Sequence, residues 1–278
     1  MMNPCKVTRT FCVASSWIRT RLRQCIGRKP TLTREKPGIQ ELLEVTARLR
    51  TTLERICASP IVDPSLSQGL VFGALRRAAN VLKAVEAVAR LGQPSEVNAL
   101  GRVICEALYD CAWMVMRDAA DRPADEQEAK AQWLVDKATL DGCRILREGV
   151  QYGMVPSEAE LRQAEERCTE ASARQHVSPT QTLRNPNILE RAKEAGPPFA
   201  ENYSLFYRRM CLDAHPTVQA NIRALIGEGE DGLGQALFMT MGSARSLAQV
   251  CCSVIDREGE LADVDSEISR ILELFATQ

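Results

Sequence analysis

From Ile39 to the C-terminal end, apolar residues return at a spacing of three and four. That period places them on one side of an α-helix, whereas a half-buried strand alternates every second residue. Ile39, Leu42, Leu43, Val45, Ala47, Leu49, Leu53 and Ile56 follow it within one segment, with acids and arginines between them. The pattern predicts an amphipathic helix over 39–58. Nothing in the chain reads as a strand, and no internal repeat stands out. Only 5% of the 278 residues are aromatic while 45% are hydrophobic. The core must therefore be built from Leu, Val, Ile, Ala, Met and Cys, which suits packed helices better than sheets. The expected fold is all-α: a single bundle of about eight helices over 39–278, preceded by a poorly ordered basic arm, 1–38.

The boundaries follow from caps and breakers. Asp63-Pro64 is expected to open a second helix that runs to Leu91 and stops at Gly92. This helix is rich in Ala, Leu and Val and is expected at the centre. Ser95 is expected to cap a third, carrying 99–116. Further helices are predicted from Pro123 to Glu148, from Pro156-Ser157 to Arg174, over 203–214, from Pro216 to Ile226, over 233–255 and over 263–275. The helix from Pro123 should bury Trp133, Leu134, Ala138, Leu140, Ile145 and Leu146. The charge-rich 157–174 segment should lie on the surface. Residues 175–199 carry four prolines and Gly196 and read as an irregular connection, with a short helix at 188–195. His176 falls there and reads as a solvated loop residue. Gly227 to Gly234 reads as an acidic connection; its glutamates and aspartate would repel phosphate.

Net charge is -1, but residues 1–36 hold nine basic residues and one acid, which leaves 26 basic and 35 acidic residues for the rest. A basic arm on an acidic body fits a nucleic-acid or membrane-surface arm, or a terminus of no special function. The acidic body argues against a broad phosphate-binding surface. Eleven cysteines, an odd number scattered within helical patterns and without a C-x-x-C pair, point to a reducing, cytoplasmic setting rather than a disulfide framework. With two histidines, a zinc site is not expected. No apolar run reaches the length of a membrane span.

Two segments carry the candidate chemistry. On the 99–116 helix Arg102, Glu106 and Asp110 form an i, i+4, i+8 stripe, with Tyr109 and Trp113 beside it. The stripe is either a solvated face with a weak Arg102–Glu106 pair or a polar line on an otherwise buried helix. The second segment runs from Tyr203 to Leu225. There Pro216 should break the helix at His215, near a carbonyl end that favours the charged imidazole. Two turns separate Arg208 from His215 and put them on one face, with Cys211 and Leu212 between; Arg209 points elsewhere.

Together these segments, Arg102-x3-Glu106 and Tyr207-Arg208-Arg209-Met-Cys211-x3-His215-Pro216, resemble a bacterial helical family of unknown function. Cys211 stands where that pattern has serine. The family is similar to the HEPN-type helical bundles. That resemblance implies a metal-independent ribonuclease or a defence or toxin effector, with no cofactor, and a homodimer acting on RNA. In it His215 is the acid/base and Arg208 the phosphate clamp, with Glu106 and Arg102 orienting them. Asp110, Tyr203, Tyr207, Arg209 and Cys211 line the same place as binding residues. The competing expectation is a non-catalytic helical interaction or small-molecule module. There Arg102, Glu106, Asp110, Tyr207, Arg208 and His215 form a buried network that sets helix register.

Overall fold

The computed structural model describes residues 37–181, 183–184, 186–214 and 230–276. Their order is α1 (Ile39–Ala58), α2 (Leu66–Arg90), α3 (Pro94–Val115), a two-residue antiparallel ribbon of β1 (Met116–Arg117) and β2 (Ala120–Asp121), α4 (Ala124–Gln151), α5 (Glu158–Arg174), α6 (Ile188–Ala195) and α7 (Pro197–Asn202). A π-helical turn (Tyr203–Tyr207) continues without a break into α8 (Arg208–Ala214). Then come α9 (Glu230–Val254), a 3₁₀ turn (Glu258–Leu261) and α10 (Ala262–Ala276). The protein is all-α. Among the described residues no helix is long and apolar enough to cross a membrane.

Several boundaries move from their expected places for local reasons. Helix α2 opens at Leu66, not at Asp63-Pro64: Ser65 accepts from the Gln68 N–H while the Gln68 side chain accepts from the Ser65 N–H, a reciprocal cap that Asp63 does not make. Helix α3 opens with Pro94 in its first turn and Gln93 as cap, so Ser95 is already inside it. Ser157 caps α5 through the same two-way arrangement with Glu160. Within the expected irregular stretch, α6 falls at 188–195 as read, but α7 already starts at Pro197. Residues 230–234, expected as loop, form the first turn of α9. His176 is exposed, with φ +53 just past the end of α5.

The helices gather into two compact units, so the expected single bundle over 39–278 is divided. The smaller unit, Pro123–Asn187, is built on α4 against α5. Its core is thin: Leu140, Cys143, Cys168, Ala171 and Leu183, with Trp133, Ala164 and Val177 packed beside them. Ile145, expected inside, is 61% exposed. Asp136 on α4 has no exposed side-chain surface and accepts from Arg174, Gln175 and Gln132. Burial alone would raise this carboxyl, but the three donors hold it below the usual carboxylate range.

The larger unit takes α1–α3, the ribbon and everything from Ile188 onward. Helix α3, not α2, is its centre: α2, α6, α8 and α9 all pack on it. Met114, Leu108, Tyr109 and Cys105 on α3 are fully buried. Gly101 sets the spacing between α3 and α9. A Cβ there would stand 2.3 Å from Thr240 Oγ1 and 3.2 Å from Met210 Cε. On the outside, Arg245 of α9 donates to both Asp265 oxygens of α10 at 2.7 and 3.0 Å. We expect Gly101→Ala to force the two central helices apart and to destabilise the larger unit by about 1–3 kcal/mol, read as a lower urea midpoint with an unchanged slope.

Candidate functional site

The stripe on α3 is neither a free solvated face nor sealed. Arg102, Glu106 and Asp110 are half-buried, because α6 and the α7–α8 segment cover the side of α3 on which they stand. Arg102 Nε donates to Glu106 Oε1 at 2.8 Å, and the Tyr207 hydroxyl donates to the same oxygen at 3.0 Å. The Arg102 guanidinium also stands over the Tyr207 ring, 5.8 Å from its centre, within cation–π range. One turn further on, Asp110 pairs with Arg191 of α6. The guanidinium of Arg191 is mostly covered, while the side chains of Glu106 and Asp110 keep 40% and 41% of their exposure. The cluster therefore shows water its carboxylates and keeps its cations behind them.

The π-helical turn brings the tyrosines to this place. One extra residue in the turn makes the Arg208 N–H bond to the Tyr203 carbonyl. Tyr203 and Tyr207 then stack with ring centres 5.2 Å apart and an interplanar angle of 26°. Tyr109 of α3 meets both edge-on, at 6.1 and 5.8 Å, and its hydroxyl donates to Asn202 Oδ1 at 2.7 Å. Burial pushes the phenols of Tyr109 and Tyr207 well above the ordinary tyrosine range, and for Tyr207 the Glu106 carboxylate adds to it. Burial also lowers Arg191, against the opposing pull of Glu106 and Tyr207. Burial would lower Arg102 too, but the bond to Glu106 and the field of Tyr207 leave it raised. Cys211 is half-buried and within hydrogen-bond reach of Tyr207. Cys105, deeper in α3, donates to Ser243 Oγ at 3.0 Å and is pushed up to about 12 by burial, so it stays a thiol.

A second knot supports the first. Trp113 Nε1 and Arg122 Nη2 donate to the two oxygens of Glu194 at 2.6 and 2.5 Å, and Arg122 Nε donates to the Trp113 carbonyl at 3.1 Å. The Asp118 and Ala119 N–H groups bond to the Glu194 and Ala195 carbonyls at 3.0 and 2.8 Å, which ties the ribbon to α6. Gly196 permits that approach. Its φ is +128, and a Cβ would lie 2.4 Å from the Ala119 nitrogen.

Of the residues singled out in sequence, Arg102, Glu106, Asp110, Tyr203, Tyr207 and Cys211 are brought together. Arg208 and Arg209 are exposed on the turn that follows Tyr207. The cation that faces Asp110 from another helix is Arg191, not Arg208. His215, and the break expected at Pro216, lie outside the described residues. Sequence reading missed Arg191, Glu194 and Asn202, which stand in or beside a stretch read as irregular. The available signal was the period of α6, where Ala192 and Ala195 are buried with Arg191 on the same short helix. Among the described residues no group of three or more His, Cys, Asp or Glu could hold a metal ion.

Residues 68–233, more than half the chain and nearly all of this site, match a family described as a family of unknown function, DUF5677. The chain belongs to that family. No curated protein and no solved structure matches it.

Because both buried phenols are neutral in the fold, stability is full below the ordinary tyrosine pKa of about 10 and falls as pH rises beyond it. At pH about 11 the native protein should show less phenolate absorbance at 295 nm than the urea-unfolded chain, and Tyr207→Phe should narrow the gap. Coincident titration curves would contradict the burial of these rings. The same Tyr207→Phe change should cost about 1 kcal/mol of stability through the lost bond to Glu106, as read from denaturant unfolding.

Proposed function

We propose that this chain is a HEPN-like, RNA-directed effector that cleaves RNA without a metal, with its site where α3 meets the Tyr203–Ala214 segment. The observation that carries this reading is the position of Glu106. It is a water-reachable carboxylate, held by Arg102 and by Tyr207, and Tyr207 is followed directly by the exposed Arg208 and Arg209. In this reading His215 takes the proton from a ribose 2′-hydroxyl, which attacks the adjacent phosphorus and expels the 5′-oxygen. Arg208 binds the phosphate oxygens as charge builds on them. Glu106 and Arg102 orient the pair. Two further features support it. A π-helical turn is frequent at functional sites, and here it sets the register of the residues on either side of it. Leu205 and Leu212 flank the two arginines and are 49% and 39% exposed, a face suited to a second copy of the chain.

One observation favours a second reading, a non-catalytic interaction module. Arg102 and Arg191 are both already paired with carboxylates, so the cluster also serves to lock α3, α6 and the π-helical turn in register.

Incubation of the purified protein with total RNA separates the two. Cleavage that persists in EDTA and falls by about 10²-fold or more in His215→Ala and Arg208→Ala is the result expected of the nuclease. Glu106→Gln should retain folding and lose most of the rate. Absence of cleavage, together with absence of toxicity when the chain is expressed in cells, leaves the interaction module.

A further inference from the structure

The smaller unit holds a chemistry that the proposed site does not use. Cys143 on α4 and Cys168 on α5 belong to the same thin core cluster and interact side chain to side chain. Both are free thiols. Each has a weak backbone acceptor: Cys143 Sγ lies 3.1 Å from the Ala164 carbonyl and Cys168 Sγ lies 3.6 Å from that of Pro179. Arg147, one turn after Cys143 on α4, reaches across to Cys168 Sγ at 3.7 Å and to the Pro179 carbonyl at 2.9 Å. A cavity of about 200 Å³ opens beside them, lined by Leu140, Arg147, Pro179 and Thr180 among others. So the sulfur pair sits behind an arginine that forms part of the wall of an open cavity. The core covering the pair is small, and a thin core opens locally at low cost.

We propose that Cys143 and Cys168 form a reversible redox pair, oxidised to a disulfide by small hydroperoxides. The guanidinium of Arg147 favours negative charge on Cys168, which makes that sulfur the nucleophile. The Cys168 thiolate attacks one peroxide oxygen. The O–O bond breaks, Cys168 becomes a sulfenic acid, and the other oxygen leaves as water or an alcohol. Cys143 then attacks the sulfenic sulfur. The S–S bond forms, and the hydroxyl leaves with the Cys143 proton as a second water. Two electrons pass from the two thiols to the peroxide. The bond closes a loop from 143 to 168 and staples α4 to α5, which restrains the unit against opening. A second interacting pair, Cys111 and Cys251, is deeply buried in the larger unit, with no comparable arginine or cavity described beside it, and stays reduced.

The test is peptide mapping of the full chain, folded, after exposure to hydrogen peroxide, without reduction and with alkylation of remaining thiols. The expected result is a cross-linked Cys143–Cys168 peptide pair that dithiothreitol separates. Amides of α4 and α5 should exchange at least about tenfold more slowly in the oxidised protein. Cys168→Ser should abolish the cross-link and leave Cys143 alkylatable. In Arg147→Gln the link should form several-fold more slowly, with circular dichroism confirming that the helices remain. The proposal is overturned if peroxide oxidises the half-buried Cys57 and Cys211 while Cys143 and Cys168 stay alkylatable. It also fails if the link joins Cys111 to Cys251, or forms only in urea.

Discussion

Helix α3 is packed against four other helices and still carries Arg102, Glu106 and Asp110 along one line. Charged groups on such a helix must find partners, because removing them from water without compensation costs several kcal/mol each. The larger unit answers this with α6 and the π-helical turn. Each supplies a group of the right sign or polarity: Arg191 for Asp110 and the Tyr207 hydroxyl for Glu106. The π-helical turn follows from the same need. A regular α-helical turn would rotate the later side chains away by roughly a quarter turn, and one extra residue keeps Tyr203 and Tyr207 in one stack.

The polar line and the close packing of the centre depend on each other. Gly101 stands one residue before Arg102 and lets α9 approach, while Met210 of α8 fills the space beside it. On the other side, the Trp113–Glu194–Arg122 knot and the close contact at Gly196 fix α6 at the height where Arg191 meets Asp110. What results is a rigid seat beneath a half-open group of carboxylates, followed in the chain by two exposed arginines. That asymmetry, with carboxylates toward water and cations behind, separates this place from an ordinary helix-to-helix ion pair and underlies the functional reading. The smaller unit differs in kind: its helices enclose few large apolar side chains, and sulfur fills much of what they do enclose.

Much of the architecture was legible in the chain because a helix is a local structure. The period of α1 marked its ends to the residue, and the short helix α6 was found inside a proline-rich stretch. The errors at helix starts have a shared cause. Asp63, Ser65, Ser95 and Ser157 all carry good cap chemistry, and a neighbour at the third position decides which of them is used. The π-helical turn was not legible at all. Its five residues show nothing in composition that an α-helix would refuse, and only the contacts of Tyr203 and Tyr207 with Tyr109 favour it.

By itself the sequence determined that this protein is helical, that its core is aliphatic and sulfur-rich, and that Arg102, Glu106 and Asp110 share one face, since each of these follows from spacing along a single helix. Only the tertiary structure decided that the face is half-buried, that Arg191 and Tyr207 rather than Arg208 complete it, and that α4 and α5 form a unit of their own. Those outcomes rest on contacts between residues some 80 to 105 positions apart, such as Arg191 with Asp110 and Tyr207 with Glu106, and local periodicity carries no information over that distance.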